Sequence, residues 1–504
     1  MDRRLTMACA VALLTLAGCA SAPPETRTAL QWQQFARTDL DAAHALILAS
    51  HPAAIDAHNP GFRAQAEAAY RDALAQIGRV DNYDSAISAV RLYSTSFRDG
   101  HLVYSDDRRP RNATIAFAGW LMEWRDEQFV IAATVANWPL AQPAPGARLI
   151  ACDGKPARTL YAQNVAPFDD RREAAMGARA SDLAFAWFSD LKLQQCQFEE
   201  SGKVVGYQVA YQPWGYAAFE AYFSGRATPP PAPKENSYWL RDGTLWIRAA
   251  NFSLQEGSGQ AAALEKMCEA LAQIRGVQRI VFDARGNNGG DSAIGDQLFV
   301  AATGGLDRKI PDAELEALPQ TYAQWRVSPF SIAHTGNFMS HFESLYGKDS
   351  ERVREARRFA DAMRAAGDAG EAWVTQPGGP RVTVKDVARH GGTLRDYPGG
   401  VTVALITDAR CASACLDLAD AVLTVPGARH LGRSTSSDTV YIDVGWKEMP
   451  SGNRLILPLK VWRNRLRGDN QAWVPDTVLQ VDMENDAAVE AATMAALAQA
   501  PARP

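Results

Sequence analysis

The chain has 504 residues and a formal net charge of -5 at neutral pH. This length predicts about two to four domains, each large enough to bury a core, and the composition is that of an ordinary globular protein. Because the chain has no basic excess and no long run of like charges, its composition gives no support to a nucleic-acid-binding function.

Residues 1–18 are predicted to be a secretory signal. Arg3 and Arg4 precede an apolar run that is too short to span a membrane. The run ends in LAGC, which resembles a bacterial lipobox, and this resemblance implies that Cys19 is lipidated and begins the mature protein. Ala20, the residue after the lipidated cysteine, then implies sorting of the lipoprotein to the outer membrane. The alternative is a plain secretory signal with a chance cysteine. We expect a periplasmic protein whose contact with the membrane is the lipid anchor alone.

Export implies an oxidising compartment, in which cysteines form disulfides. Five cysteines remain outside the signal and the lipidation position: Cys152, Cys196, Cys268, Cys411 and Cys415. The candidate disulfides are Cys152–Cys196, which fall in one predicted domain, and Cys411–Cys415, which bracket Ser413; Cys268 is expected to be buried and free. The cysteine and histidine spacing matches no zinc site, and we predict neither a metal nor a cofactor.

Residues 19–108 are predicted to form a helical domain. Apolar residues recur at helical spacing in three stretches: 30–46, 62–77 and 84–93. The domain ends in the motif Asp99-Gly100-His101-Leu102. Because Gly100 breaks the helix, His101 is expected to leave the bundle and to face whatever packs there.

Residues 109–227 change to a pattern of short strands. The segment PGARLIACDGKP, residues 145–156, looks like the strand-turn segment of a PDZ-type domain, with Asp153-Gly154 at a tight turn. Domains of that type bind extended peptides at a sheet edge, so the resemblance implies a peptide or protein partner. Residues 228–237, TPPPAPKENS, are predicted to be a stiff linker.

Residues 238–485 have an α/β pattern. A hairpin around Asp242-Gly243 and an amphipathic helix are followed by a strand, Val277–Phe282, which leads into the glycine-rich loop DARGNNGGD. The loop lacks the lysine of a P-loop, but its adjacent glycines can bring backbone N–H groups close to a substrate. Asp283 at its start is expected to orient Arg285. A polar, partly helical insertion is predicted at 307–372, and a helical tail at 486–504.

Ser413 lies at a predicted strand-to-helix junction. The run from Val401 to Thr407 indicates a buried strand, and Ala414 to Leu423 has helical spacing. Free N–H groups and a partial positive charge at a helix N-terminus suit a developing oxyanion, so this serine is well placed as a nucleophile. The alternative is that Ser413 merely caps the helix, which serine often does.

The order of the motifs resembles the serine peptidase superfamily of C-terminal processing proteases and the tricorn core protease. DGH, the PDZ-like segment, DxRGNxGG, ASA and VPD follow one another between about residues 62 and 481. The resemblance implies an α/β multidomain protein with a crotonase-like ββα catalytic core, an N-terminal helical domain and a PDZ-like β-rich domain. It implies that Ser413 is the nucleophile and that N–H groups of Ala414 and of Gly289 or Gly290 form an oxyanion hole.

The chain departs from the processing proteases at the general base. Those enzymes use a lysine downstream of the serine, where this chain has Asp438. The tricorn-like branch instead takes a histidine from before the PDZ-like domain and an acid from near the end of the core. The residues of this chain that match them are His101 and Asp469, which together with Ser413 complete a Ser/His/acid triad. His430 is the alternative base, and three further candidates remain for the acid: Asp476, Asp438 and Asp417.

The residue types fit acyl transfer. Serine is a weak nucleophile until a near-neutral base takes its proton, and a carboxylate can hold the histidine tautomer. We therefore predict a lipid-anchored serine peptidase. The alternatives are an inactive peptide-binding protein, an esterase or transacylase, and an acyl-CoA enzyme of the crotonase class. Export argues against the last, because coenzyme A is cytoplasmic.

Overall fold

The computed structural model of this protein describes residues 27–109, 113–125, 127–172, 176–215, 218, 235–306, 309–390 and 400–499. The predicted signal, Cys19 and most of the linker at 228–237 lie outside these ranges. Within them, no helix combines the length and the apolar character needed to cross a membrane.

The three N-terminal helices and the helix after Ser413 lie close to the stretches in which periodicity predicts them. In chain order the helices are α1 (Ala29–Ser50), α2 (Phe62–Leu74), α3 (Tyr83–Thr95), α4 (Ala157–Asn164), α5 (Met176–Arg179), α6 (Gln260–Gln273), α7 (Ser292–Thr303), α8 (Asp312–Ala317), α9 (Pro329–Tyr346), α10 (Glu351–Asp368), α11 (Val384–Arg389), α12 (Ala414–Leu423) and α13 (Asp486–Ala498). Local capping fixes several starts. Thr28, for example, caps α1 through a reciprocal pair of hydrogen bonds with Gln31.

The strands form four sheets. They are β1 (Val103–Ser105), β2 (Thr114–Phe117), β3 (Trp120–Arg125), β4 (Gln128–Thr134), β5 (Arg148–Cys152), β6 (Lys155–Pro156), β7 (Phe185–Ala186), β8 (Gln195–Glu200), β9 (Lys203–Gln208), β10 (Gln212–Gly215), β11 (Ser237–Arg241), β12 (Thr244–Arg248), β13 (Arg279–Asp283), β14 (Gln320–Arg326), β15 (Trp373–Pro380), β16 (Thr402–Thr407), β17 (Arg429–Gly432), β18 (Tyr441–Glu448), β19 (Arg454–Arg463) and β20 (Thr477–Val478). The predicted α/β class is thus observed as a mixed, multi-sheet architecture.

A parallel sheet carries the glycine-rich loop and the serine. Its order is β11-β12-β13-β16-β17-β20, with all pairs parallel except the hairpin β11–β12. Side chains alternate between its faces: Leu405 packs with α6, α7 and α12, and Ile406 packs with α13. The loop follows β13, and Ser413 follows the neighbouring strand β16. Both therefore lie at the carboxyl edge of the sheet, where α/β proteins bind ligands.

The N-terminal helices pack on a second sheet rather than on each other alone. This sheet has the order β1-β19-β14-β15, with β18 on β19, and all of its pairs are antiparallel. Leu40 and Val90 of the helices share a core with Tyr441, Leu455 and Leu457 of β18 and β19. Because β1 begins two residues after His101 and pairs with β19, this sheet fixes where the histidine lies.

The predicted insertion contributes a strand as well as helices. In β14, Ala323 and Trp325 are buried alternately with more exposed neighbours, which is the pattern of a strand with one buried face. The strand pairs with β19, and α9 and α10 form a helical hairpin between β14 and β15. Here the sequence showed the helices but not the strand, whose partner lies far away in the chain.

The β-rich segment contains the other two sheets. One has the order β3-β4-β5-β8-β9 with β6 on β5, and the other has the order β10-β2-β7. They enclose a core that includes Phe117, Trp120 and Phe198. Cys152 and Cys196 face each other across β5 and β8 and form a disulfide, which is one of the two predicted pairs.

Candidate active site

Ser413 occupies a strained turn between β16 and α12. Its φ of 52° and ψ of -125° lie in a region that costs a residue with a side chain about 1–3 kcal/mol. Although Ser413 holds the N-cap position, its side chain makes no capping hydrogen bond. The interpretation of Ser413 as a helix cap is therefore wrong. Its hydroxyl is left free to bond to another partner.

The second predicted disulfide fixes this turn. Cys411 and Cys415 are bonded to each other, and both are fully buried. On either side of the serine, Ala412 N–H donates to the backbone carbonyl of Asn287 in the glycine loop at 3.2 Å, and Leu416 N–H donates to the Ser413 carbonyl at 2.7 Å. Neither bonded cysteine is available as a nucleophile. The remaining cysteine in the described residues, Cys268, is half-buried and free.

The glycine loop touches the serine so closely that a side chain would not fit. Gly289 has a φ of 101°, and a Cβ there would lie 2.7 Å from Ser413 Cβ and 2.8 Å from the Ala412 carbonyl oxygen. A Cβ on Gly290, whose φ is 131°, would overlap the carbonyl oxygen of Phe252. Both glycines are required by backbone conformation and by close approach.

Hydrogen bonding separates the two candidate oxyanion donors. Gly289 N–H already donates to Asn287 Oδ1 at 2.9 Å. Asn287 is fully buried and its amide donates in turn to the Ala249 carbonyl at 2.7 Å, so this bond is well anchored. Within the described part of the chain, the N–H groups of Gly290 and Ala414 donate no hydrogen bond. Gly290 is therefore the better of the two glycine donors. Sequence reasoning missed the role of Asn287.

His101 reaches the serine from the other end of the chain. Its Nε2 lies 3.2 Å from Ser413 Oγ, within hydrogen-bond distance, although 312 residues separate the two. His101 follows α3, and its ring is 13% exposed. The structure thus brings together the two side chains that the motif order predicted to meet.

The carboxylate beside this histidine is Asp99, from the same DGH motif. Its Oδ1 lies 3.7 Å from His101 Nδ1 and accepts the His101 backbone N–H at 2.8 Å. Burial would raise the pKa of Asp99, but the neighbouring imidazoles of His51 and His101 outweigh burial and hold this pKa below its ordinary value. The short spacing from Asp99 to His101 was a signal that sequence reasoning did not use.

The structure does not bring Asp469 to the histidine. Asp469 is an exposed residue, its Oδ1 accepts the Val440 N–H at 2.8 Å, and among the described residues it makes no contact with His101. The side-chain amide of its neighbour Asn470 donates at 2.9 Å to the carbonyl of Arg98, the residue before Asp99.

The alternative acids are engaged elsewhere. Asp438, at the lysine position of the processing proteases, is buried and forms ion pairs with Arg465 at 3.0 Å and with Arg467. Asp417 lies 3.9 Å from the same Arg467. Asp476 accepts the backbone N–H of His430 at 2.9 Å. None of these three carboxylates contacts His101 within the described ranges.

His430, the alternative base, lies in the parallel sheet. Its Nε2 is 2.7 Å from Thr407 Oγ1, and burial lowers the pKa of its ring. No contact joins it to Ser413 in the described residues.

Asp283 binds the Arg285 side chain at 2.6 and 2.8 Å, as expected from its position at the start of the loop.

An arginine of the β-rich segment covers the histidine turn. Arg172 is held by Asp170 at 2.6 Å and also donates to the Ser437 carbonyl. A Cβ on Gly100 would overlap the Arg172 guanidinium, so glycine lets the arginine pack directly on the backbone before His101. Arg172 therefore connects the β-rich segment, the turn before His101 and the segment that contains Ser437.

A cavity of about 920 Å³ lies behind this turn. It runs between α3 and β7, and Asp99 and Gly100 form part of its wall. Neither Ser413 nor the glycine loop lines it, so the cavity is not where a carbonyl under attack would lie. Among the described residues, histidine, cysteine and acidic side chains form no cluster of three suited to a metal ion.

Comparison with solved structures shows the fold. Mature CPAF complexed with lactacystin matches over 92% of this chain and 97% of its own, at 13% identity and a TM-score of 0.53. The photosystem II D1 C-terminal processing protease matches over 90% and 98%, at 13% identity and a TM-score of 0.33. The tricorn protease matches over 89% and 34%, at 10% identity and a TM-score of 0.34.

CPAF belongs to the superfamily that the motif order predicted, and its match extends over nearly the whole of both chains. At 13% identity this likeness establishes the fold alone. No protein-family model and no curated protein sequence matches the chain.

Proposed function

We propose that this chain is a serine peptidase in which Ser413 is the nucleophile and His101 the general base. The observation that carries the proposal is the 3.2 Å separation between His101 Nε2 and Ser413 Oγ. The strained, uncapped serine supports it, because nucleophilic serines are commonly exposed on such strand-to-helix turns. The fold shared with CPAF supports the same reading. We assign the parallel sheet to a crotonase-like core and the β-rich segment to a PDZ-like domain.

The proposed reaction follows acyl transfer. As Ser413 Oγ bonds to the peptide carbonyl carbon, its proton passes to His101 Nε2. The carbonyl oxygen becomes negative and accepts hydrogen bonds from the backbone N–H groups of Ala414 and Gly290. When the C–N bond breaks, His101 returns the proton to the leaving amine. Water then repeats the sequence on the acyl-enzyme, which releases the acid and restores Ser413.

We also propose that the protein acts outside the cytoplasm. The LAGC sequence supports export and lipid attachment at Cys19, with tethering to the outer membrane. Two disulfides in one chain support an oxidising compartment. An extended peptide or an unfolded protein tail is the substrate class that a PDZ-like domain would present to Ser413.

A fluorophosphonate probe tests the nucleophile. We expect it to label the wild-type protein at Ser413, identified by peptide mapping, because the His101 contact and two free N–H groups favour attack on phosphorus. Ser413→Ala should abolish labelling, and Ser434→Ala, at a nearby exposed serine, should not. Peptide cleavage in the same samples distinguishes a peptidase from an esterase. Peptide binding without labelling would contradict the proposal and indicate an inactive binding protein.

We propose Asp99 as the carboxylate that orients His101, in place of Asp469. Asp99→Asn should lower the rate of probe labelling roughly 10- to 100-fold, since hydrogen bonds to charged groups are worth about 1.5–3 kcal/mol. Asp469→Asn should change the rate less than about twofold, because surface substitutions away from such contacts have small effects. The reverse ranking of the two variants in second-order labelling rate would restore Asp469.

A further inference from the structure

We propose that His51 is a positioning residue for this reaction, holding the Asp99 carboxylate that faces His101. The inference rests on the proposed function of Ser413 and His101. The His51 side chain is 1% exposed, and its Nε2 lies 3.8 Å from Asp99 Oδ2. The other oxygen, Oδ1, lies 3.7 Å from His101 Nδ1. Asp99 therefore lies between two imidazole rings, one at each carboxylate oxygen.

The hydrogen bond on the far side of His51 fixes its tautomer. His51 Nδ1 lies 3.1 Å from the backbone N–H of Ala53, and a backbone N–H can only donate. Nδ1 is therefore unprotonated, and the neutral ring carries its hydrogen on Nε2. That N–H faces Asp99 at 3.8 Å and has no hydrogen-bond partner among the described residues. A neutral His51 can therefore donate to the carboxylate once the two groups move closer together.

The tautomer of His101 places a second N–H toward Asp99. If its Nε2 accepts the Ser413 proton, its hydrogen is on Nδ1, which is buried and also lacks a hydrogen-bond partner in the described residues. Leaving a buried donor unpaired is costly, and one carboxylate can satisfy both rings. Separations of 3.7 and 3.8 Å exceed hydrogen bonds, but such contacts are often long without substrate and shorten when it binds.

The surroundings keep His51 fixed while Asp99 is held. The imidazole stacks on the Phe62 ring at 4.8 Å between centroids and contacts Tyr441 at 5.3 Å. Thr439 Oγ1 donates to Asp99 Oδ2 at 3.1 Å, on the same oxygen that His51 faces. His51 thus connects the helical segment to the base, a contact that neither the sequence pattern nor the motif order contains.

Two substitutions separate hydrogen bonding from packing. His51→Leu still fills the buried space between Phe62 and Tyr441 but has no N–H to donate to Asp99. We expect it to lower the rate of Ser413 labelling about fivefold. His51→Gln places an amide N–H near the position of Nε2 and should recover most of that rate. His44→Leu is the control, because His44 of α1 is likewise a ring-stacked histidine of the helical segment, but it is half-buried and contacts Tyr93 rather than Asp99. It should leave the rate unchanged.

A double-mutant cycle tests whether His51 acts through Asp99. In an Asp99→Asn background, His51→Leu should cause no further loss, because the carboxylate that His51 holds is gone. Independent, multiplying losses would overturn the inference. So would equal losses in the Leu and Gln variants, which would indicate packing alone, or a wild-type rate in His51→Leu.

Nitrogen-15 spectra of the histidine rings give a reading that does not depend on activity. We expect His51 in the folded protein to have a protonated Nε2 and a bare Nδ1, and the Nε2 signal to shift in Asp99→Asn. An unprotonated Nε2 on His51 would overturn the inference, even if the His51→Leu variant is labelled slowly. If the probe labels nothing while the spectra show the expected tautomer, the proposed function has failed and the His51–Asp99 contact has not. These spectra also remain decisive if His51→Leu does not fold.

Discussion

Replacing His101 with Ala lowers the second-order rate of Ser413 labelling by about 10²–10⁴-fold, the usual contribution of a general base. The reason is that the 3.2 Å contact to His101 is the only contact with a titratable base that Ser413 Oγ makes in the described residues. The measurement is time-dependent labelling by a fluorophosphonate, followed by peptide cleavage at matched protein concentration. We expect a lower midpoint of thermal unfolding, because the buried Asp99 carboxylate loses one of the two imidazoles that face it, so the labelling rates are compared for folded protein.

His430→Gln provides the control for this prediction. It removes the alternative base that the sequence offered, while Gln can still hydrogen-bond Thr407. We expect lower stability but an unchanged labelling rate for the folded fraction. Undiminished labelling in His101→Ala would remove His101 from the mechanism. Loss of labelling only in His430→Gln would require a rearranged site.

Gly289→Ala should lower the labelling rate by about 10²–10³-fold, the size of effect seen when an oxyanion donor is lost. The new methyl group would lie 2.7 Å from Ser413 Cβ, closer than such atoms approach in proteins, and the backbone φ of 101° is itself unfavourable for alanine. Either the serine or the loop must move, and both carry groups of the proposed oxyanion hole. We expect this loss in labelling and in peptide cleavage alike.

Gly286→Ala separates backbone strain from overlap with the serine. Gly286 belongs to the same loop and also has a positive φ, 79°, but a Cβ there would meet its nearest neighbour, Arg410, at an ordinary 3.7 Å. Both variants should lose stability from the strained φ, by about 1 kcal/mol or more. Only Gly289→Ala should also lose the labelling rate. Equal rates in the two variants would contradict the close approach as the cause.

Local signals predicted a large part of this fold. The helix from Ala414 to Leu423 and the strand before it are marked by periodicity, and the hairpin at Asp242-Gly243 is marked by its turn residues. The sequence did not show that β14 joins β19 or that the N-terminal helices share a core with β18 and β19. Those pairings join distant segments, and no local pattern encodes which distant surface an apolar face will cover.

The sequence by itself determined the parts of the site that depend on neighbouring residues: a serine at a strand-to-helix junction, a glycine loop after a buried strand, and cysteines spaced to bracket the serine. Only the tertiary structure decided which carboxylate lies beside His101, which glycine N–H is free and that Ser413 does not cap its helix. Each of these depends on competition for hydrogen bonds. Asn287 takes the Gly289 N–H, Val440 takes the Asp469 carboxylate, and Asp99 is left between His51 and His101. Such competition is settled by atoms that folding brings together from distant parts of the chain.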